Sequence, residues 1–147
     1  MIEIRPAAPG DAKTLTALAI RSKAHWGYDK TFMQACRPSL AIHATCVQPT
    51  FVAEVDGATA GFYQLEGSEI GAFFVDPPFI GRGVGRALWE HLMQEAQRRG
   101  LAAVEILSDP NAEGFYRTMG AERAGEAPSD VFGPERMLPL MRAAIRR

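Results

Sequence analysis

Three glycines at alternating positions, Gly81, Gly83 and Gly85, follow the β-branched and aromatic run Glu69–Val75 and open a long amphipathic segment. Residues without a Cβ let their backbone N–H groups approach a ligand oxygen closely, and a helix that starts there adds unpaired first-turn donors and the positive end of its dipole. Phosphate is the ligand such a strand, turn and helix start suits best. A Walker loop would place Lys after the glycines, and none follows; the dinucleotide pattern Gly-x-Gly-x-x-Gly fails because position 86 is Arg and position 88 is Leu. The plainer alternative is a surface turn whose glycines serve geometry alone. Arg82 and Arg86 flank the turn as cations for an anionic ligand.

The surrounding sequence supplies the elements that would hold this loop. Ile2 to Arg5 alternates apolar and polar residues as a half-buried strand does, and Pro6 closes it. Pro9-Gly10-Asp11 turns into a helix with the stripe Leu15, Leu18, Ala19, and a short helical piece with Phe32 and Cys36 precedes Pro38. Phe51–Val55 and Ala58–Leu65 form a hairpin about Asp56-Gly57, and Gly67-Ser68 turns into Glu69–Val75, giving three successive antiparallel strands. The helix from about Gly83 to Arg99 shows Val84, Leu88, Leu92 and Ala96 on one face and ends at Gly100. Ala103–Leu107 is the next strand, and a helical crossover sets it parallel to Glu69–Val75. A short helix, Ala112 to Met119, stops at Gly120; Ala127–Ser129 and Phe132–Pro134 read as loops before a last strand around Arg136–Met141.

Two segments together carry a resemblance. Phe79 to Leu88, with Val75-Asp76-Pro77 before it, is similar to the acyl-CoA loop Gln/Arg-x-x-Gly-x-Gly/Ala of the GNAT superfamily of N-acetyltransferases. Asn111 to Ala121 is similar to that family's Asn-Ala-x-x-Phe-Tyr-x-x-x-Gly-Phe element. One departure is Ile80, where the family usually has Gln or Arg. The resemblance extends over nearly the whole chain. It implies one acetyltransferase domain over residues 1–147, of α+β (α/β) class. The sheet would be mixed and mostly antiparallel, of about six to seven strands with a parallel splayed pair at its centre, flanked by about four helices.

The resemblance also implies a reaction. Acetyl-CoA (coenzyme A) is the expected cofactor, its pantetheine arm lying where Glu69–Val75 and Ala103–Leu107 part and its phosphates on the glycine loop. The residues expected to bind it are Phe74, Val75, Ile80, Gly81, Arg82, Gly83, Val84, Gly85, Arg86, Asn111 and Tyr116. An amine attacks the thioester, an oxyanion forms beside a backbone N–H of Phe73–Val75, and the thiolate leaves. Tyr116 is the expected acid for the thiolate, or else a core tyrosine that only contacts the coenzyme. Glu69 is the best placed base, acting directly or through water, or else a salt-bridged or solvent-exposed carboxylate; solvent relay is the alternative. Trp26 and Tyr28, beside His25, shape the acceptor pocket or cap the core at a helix corner. The favoured acceptor is the primary amine of a small molecule, with a peptide or protein amine as the alternative. Gly71 and Ala72, where many relatives are polar, favour a rival acyl-CoA-binding module without turnover. A homodimer is expected because dimers are frequent in the superfamily.

Composition excludes other classes. At 47% hydrophobic and 22% charged the chain has the make-up of a globular domain with one core, and a net charge of −1 gives no basic surface for nucleic acid. No leader and no apolar run long enough to span a bilayer is present, so a cytoplasmic location is expected, with no membrane partner. Two cysteines, Cys36 and Cys46, are too few for a disulfide framework, and no bridge between them is expected in a reducing compartment. His25, His43 and His91 lack ligand spacing, so no metal is expected.

Overall fold

The computed structural model describes residues 1–44 and 49–146. Its strands are β1 (Ile2–Pro6), β2 (Thr50–Val55), β3 (Ala58–Glu66), β4 (Glu69–Val75), β5 (Ala103–Leu107), β6 (Glu122–Ser129) and β7 (Gly133–Ala144). Its helices are α1 (Ala12–Ala24), α2 (Lys30–Leu40), α3 (Val84–Arg98) and α4 (Glu113–Thr118). The strands form one sheet in the order β1-β2-β3-β4-β5-β7-β6, in which β4 and β5 alone run parallel. The mixed sheet with one parallel pair is the architecture the sequence led us to expect.

Helices cover both faces. The stripe Val84, Leu88, Leu92 and Ala96 of α3 is at most 1% exposed and packs on one face with Tyr63, Leu65 and Val104. Leu15, Leu18 and Ala19 of α1 join Met33, Cys36 and Leu40 of α2 on the other, over Val52, Phe62 and Ala72. Between β2 and β3 the turn has φ of +50° at Asp56 and +84° at Gly57, the left-handed pair that a two-residue hairpin requires.

Three expectations change. The helical piece near Phe32 runs on through Pro38 to Leu40. Pro38 has no N–H to give the Gln34 carbonyl, and the helix ends two residues later; the Ser39 hydroxyl donates to the Cys36 carbonyl at 2.8 Å, serving one of the carbonyls the helix end leaves open. Ala127–Ser129 is not a loop but the end of β6, and the last strand begins at Gly133, inside the expected loop Phe132–Pro134. Because β6 is an edge strand, Pro128 costs it no interior ladder bond. Cys36 is buried, while Cys46 lies outside the described residues. Among the described residues no helix is long and apolar enough to cross a membrane.

Candidate active site

β4 and β5 meet at one rung and then part. Glu69 stands in register with Glu105, and the Glu105 N–H donates to the Ser68 carbonyl at 2.9 Å. Beyond it, β5 keeps its full antiparallel ladder with β7, from Ala103 to Leu107. A bulge bends β4 at this point: Gln64 pairs with Ala72 and Leu65 with Ile70, so Gly71 is the extra residue. The Asp76 N–H donates to the Ala60 carbonyl at 2.8 Å. By the alternation of an antiparallel ladder, Phe74 then turns its backbone groups toward β3, while Phe73 and Val75 turn theirs into the gap. Of the main-chain donors expected in this segment, Phe73 and Val75 face the gap and Phe74 does not.

Helix α1 spans the open ends. Its Arg21 grips Asp76, at the end of β4, with two hydrogen bonds of 3.0 and 2.9 Å. Two residues on, Lys23 donates to Asp109, just after β5, at 2.6 Å. Asp109 also accepts from the Tyr28 hydroxyl and from the backbone and side-chain N–H groups of Asn111. Burial alone would raise its carboxyl, but these bonds, that from Lys23 foremost, outweigh burial and hold it below the usual carboxylate range.

The glycine loop presents its backbone outward. Gly81 and Gly83 have φ of +80° and +83°, conformations that a side chain would strain. The N–H groups of Ile80, Arg82 and Ala87 bond to Pro77, Phe79 and Gly83, whereas those of Gly81 and of the residues from Gly83 to Arg86 have no acceptor among the described residues. No side chain caps α3. Gly85 is needed for a different reason: a Cβ there would lie 3.0 Å from the Phe115 ring. This is the geometry of an anion site at a helix N-terminus.

A cleft of about 600 Å³ runs from this loop along the gap. Of the residues expected to hold a coenzyme, all but Arg82 and Val84 line it. Arg82 lies over the Phe79 ring at 5.2 Å, and the Val84 side chain is in the core, leaving only its N–H to serve the loop. Tyr116 lines the cleft from α4, its ring packed edge-on against Phe73 and Phe115 and tilted against Trp89. The hydroxyl has no partner among the described residues, and burial pushes the phenol well above its ordinary pKa. Asn111 also lines the cleft, with its amide nitrogen on Tyr28 and Asp109.

A second cleft, of about 510 Å³, lies at the other end of the gap between α2 and the β6–β7 hairpin. The two share Lys23, Ile70, Gly71 and Leu107, so they meet where β4 and β5 diverge. Glu69 and Glu105 line the second cleft, and neither forms an ion pair among the described residues. The expected aromatic pair separates: Trp26 is 44% exposed in the wall of the first cleft, and Tyr28 lines neither. Tyr28 stacks on Phe32 at 4.0 Å and bonds Asp109, and burial first, then that carboxylate, pushes its phenol up to about 12. Its hydroxyl also meets Asn111 and Arg136, so its bonds run to the wall of the site. Lys23, Asp109 and Arg136 were not singled out from the sequence; the charges at the two ends of the parallel pair become neighbours only through the sheet order.

Comparison with known proteins agrees with this fold. Residues 17–129, some three-quarters of the chain, match the family model described as acetyltransferase (GNAT) domain. A peptidyl-lysine N-acetyltransferase of Salmonella typhimurium, YjaB, is 35% identical over 86 residues, which cover 58% of each chain. Curated relatives of this kind are matched over only 23% to 58% of their own length. A GCN5-related N-acetyltransferase from Rhodopseudomonas palustris superposes with a TM-score of 0.86 at 24% identity, covering 97% of this chain and 94% of that one. PaiA N-acetyltransferase from Thermoplasma acidophilum, solved with coenzyme A, superposes at 0.74 with 15% identity, covering 98% and 99%. The chain belongs to the GNAT acetyltransferase family.

Proposed function

We propose that this chain transfers the acetyl group of acetyl-CoA directly to the primary amine of a small molecule. The observation that carries the reading is the meeting of two clefts at the divergence of β4 and β5, one reaching an uncapped helix N-terminus and the other lined by unpaired carboxylates. Backbone donors of the glycine loop and the Arg86 guanidinium hold the coenzyme's phosphates; the free edge of β4 at Phe73 and Val75 holds its amide arm. The coenzyme supplies an activated acetyl thioester.

Within that arrangement the amine lone pair forms the C–N bond as the carbonyl oxygen takes on charge. One of the two gap-facing N–H groups, that of Phe73 or Val75, is a donor fixed in a strand, so it stabilises that charge without reorganising and leaves the other to the amide arm. As the C–S bond breaks, Tyr116 gives its proton to the departing thiolate. Burial raises its pKa, which keeps the phenol protonated until the sulfur takes on charge. Glu69 takes the amine proton, directly or through water, from the mouth of the second cleft.

A second reading, a lysine side chain of a protein as acceptor, is favoured by the similarity to a peptidyl-lysine N-acetyltransferase. The walled shape and modest volume of the second cleft favour the small molecule. Thiol release from acetyl-CoA with a panel of small amines and a lysine-containing peptide, using wild type and Glu69→Gln, tests both. Turnover on a small amine, reduced about tenfold or more in the variant, supports the proposal. Turnover on the peptide alone overturns its acceptor, and coenzyme binding without turnover on any amine overturns the enzyme in favour of a binding module.

A further inference from the structure

Arg136, on β7, is held in a way that leaves one edge of its guanidinium unused. Its charged face lies over Phe32 at 4.9 Å and Tyr28 at 5.3 Å. One Nη2 hydrogen goes to the Tyr28 hydroxyl at 2.8 Å, and the same nitrogen is 3.8 Å from Asp109. The stack beneath is fixed in turn, because Phe32 also packs on Phe132 at 4.9 Å. Nε and Nη1 make no hydrogen bond among the described residues, and Arg136 lines the second cleft. A guanidinium gripped by its face, with free donors along its edge, is a preorganised fork for a carboxylate.

Ser129 supplies an independent observation in the same wall. It is 7% exposed, and its Oγ accepts the N–H groups of Val131 at 3.1 Å and Phe132 at 3.2 Å. With both lone pairs engaged, the hydroxyl can only donate, and its proton has no acceptor among the described residues. It lines the cleft together with Arg136. The same cavity is lined by the carboxylates of Glu69 and Glu105, adjacent in register on β4 and β5, and by exposed Asp130, next to Ser129 in the chain; the charge of Lys23 is taken by Asp109. The fork of Arg136 and the Ser129 hydroxyl thus share one cavity with the Glu69–Glu105 rung, and that rung adjoins Gly71, where the two clefts meet.

Resting on the acetyl transfer proposed above, we infer that the acceptor is a small primary amine that also bears a carboxylate several bonds away, an amino acid whose reacting amine is at the far end of its chain, and that Arg136 with Ser129 reads the carboxylate. The ammonium end lies between Glu69 and Glu105, close to the gap, where loss of its proton readies it for attack. Arg136 is then a specificity-determining residue, since it orients the acceptor without touching the reacting atoms.

The test compares matched triplets, an amino acid, its amide and the corresponding simple amine, in wild type, Arg136→Gln and Arg136→Lys, with folding checked by circular dichroism. The expected result is a kcat/KM for the acid at least about tenfold above the other two. Arg136→Gln erases that preference by raising KM for the acid to that of the simple amine, and Arg136→Lys restores only part of it because it keeps the charge and loses the fork. Equal or better turnover of the amide or simple amine, turnover of a lysine peptide alone, or a preference that survives Arg136→Gln overturns the inference. NMR titration of the same triplets into the coenzyme A complex separates the two levels. Arg136-dependent binding of the acid with no turnover removes the acetyl-transfer reading and keeps the carboxylate site. Turnover without acid preference removes the site and keeps the enzyme.

Discussion

Lys23 places its ammonium 2.6 Å from the carboxylate of Asp109, 86 residues further along the chain, and both groups are largely buried, at 14% and 11% exposure. Together with Arg21 and Asp76, this pair fastens the last turn of α1 across the open ends of β4 and β5. The gap in the sheet is therefore bridged by side chains where it lacks a ladder.

Removing one partner of that pair leaves a buried charge uncompensated. Lys23→Met is expected to destabilise the fold by about 3 kcal/mol in urea titration, and Lys23→Met with Asp109→Asn by less than the sum of the single changes. The pH dependence has a defined sign. Asp109 is held below the usual carboxylate range, so its contribution is complete above the unfolded value near ~4 and is lost as pH falls through the folded one. The stability difference between wild type and Asp109→Asn is expected to be flat from pH 7 to 5 and to shrink below pH 4.

Gly83 caps α3 with a φ of +83°. Substitution by Ala should cost about 1 kcal/mol through strain alone. Gly83→Glu adds a carboxylate beside the uncapped donors and is expected to weaken coenzyme A binding by at least about tenfold in calorimetry. Unchanged affinity in Gly83→Glu would remove the loop from the phosphate site.

Tyr63 and His91 form a second buried polar pair, away from the clefts, with the phenol 2.6 Å from Nδ1. Burial holds His91 below the ordinary imidazole value, so it is neutral, and Tyr63 is then the donor to Nδ1. A lowered folded pKa means stability that is complete above the unfolded value near ~6.5 and declines as pH falls from there. His91→Gln is expected to abolish that part of the acid-side decline between pH 7 and 5, read as thermal midpoint against pH.

Local patterns made most of this fold legible. The Asp56-Gly57 turn, the four-residue apolar spacing of α3 and the positive-φ glycines all write their geometry into neighbouring residues. The strand β6 had no such signature: nearly all of Glu122–Ser129 faces solvent at a sheet edge, so no apolar alternation marks it, and Pro128 argues for a turn. The site divides in the same way. Of the residues chosen around the glycine loop, all but Arg82 and Val84 line the first cleft, because a loop and its helix are contiguous in sequence. Tyr28, expected to shape the acceptor pocket or cap a helix corner, lines neither cleft, because its orientation depends on Asp109 and Arg136, 81 and 108 residues away. Long-range polar networks of this sort leave no periodicity to read.

Thiol release from acetyl-CoA by wild type and Tyr116→Phe, with coenzyme A affinity measured on the same preparations, tests acetyl transfer in the gap most directly. The structure predicts a fall in kcat of about 10²-fold with affinity changed less than about threefold, since the ring stays packed among Phe73, Trp89 and Phe115 and only the proton donor is lost. Undiminished turnover in Tyr116→Phe would contradict Tyr116 as the acid, and tight coenzyme binding without turnover in the wild type would contradict the transfer itself.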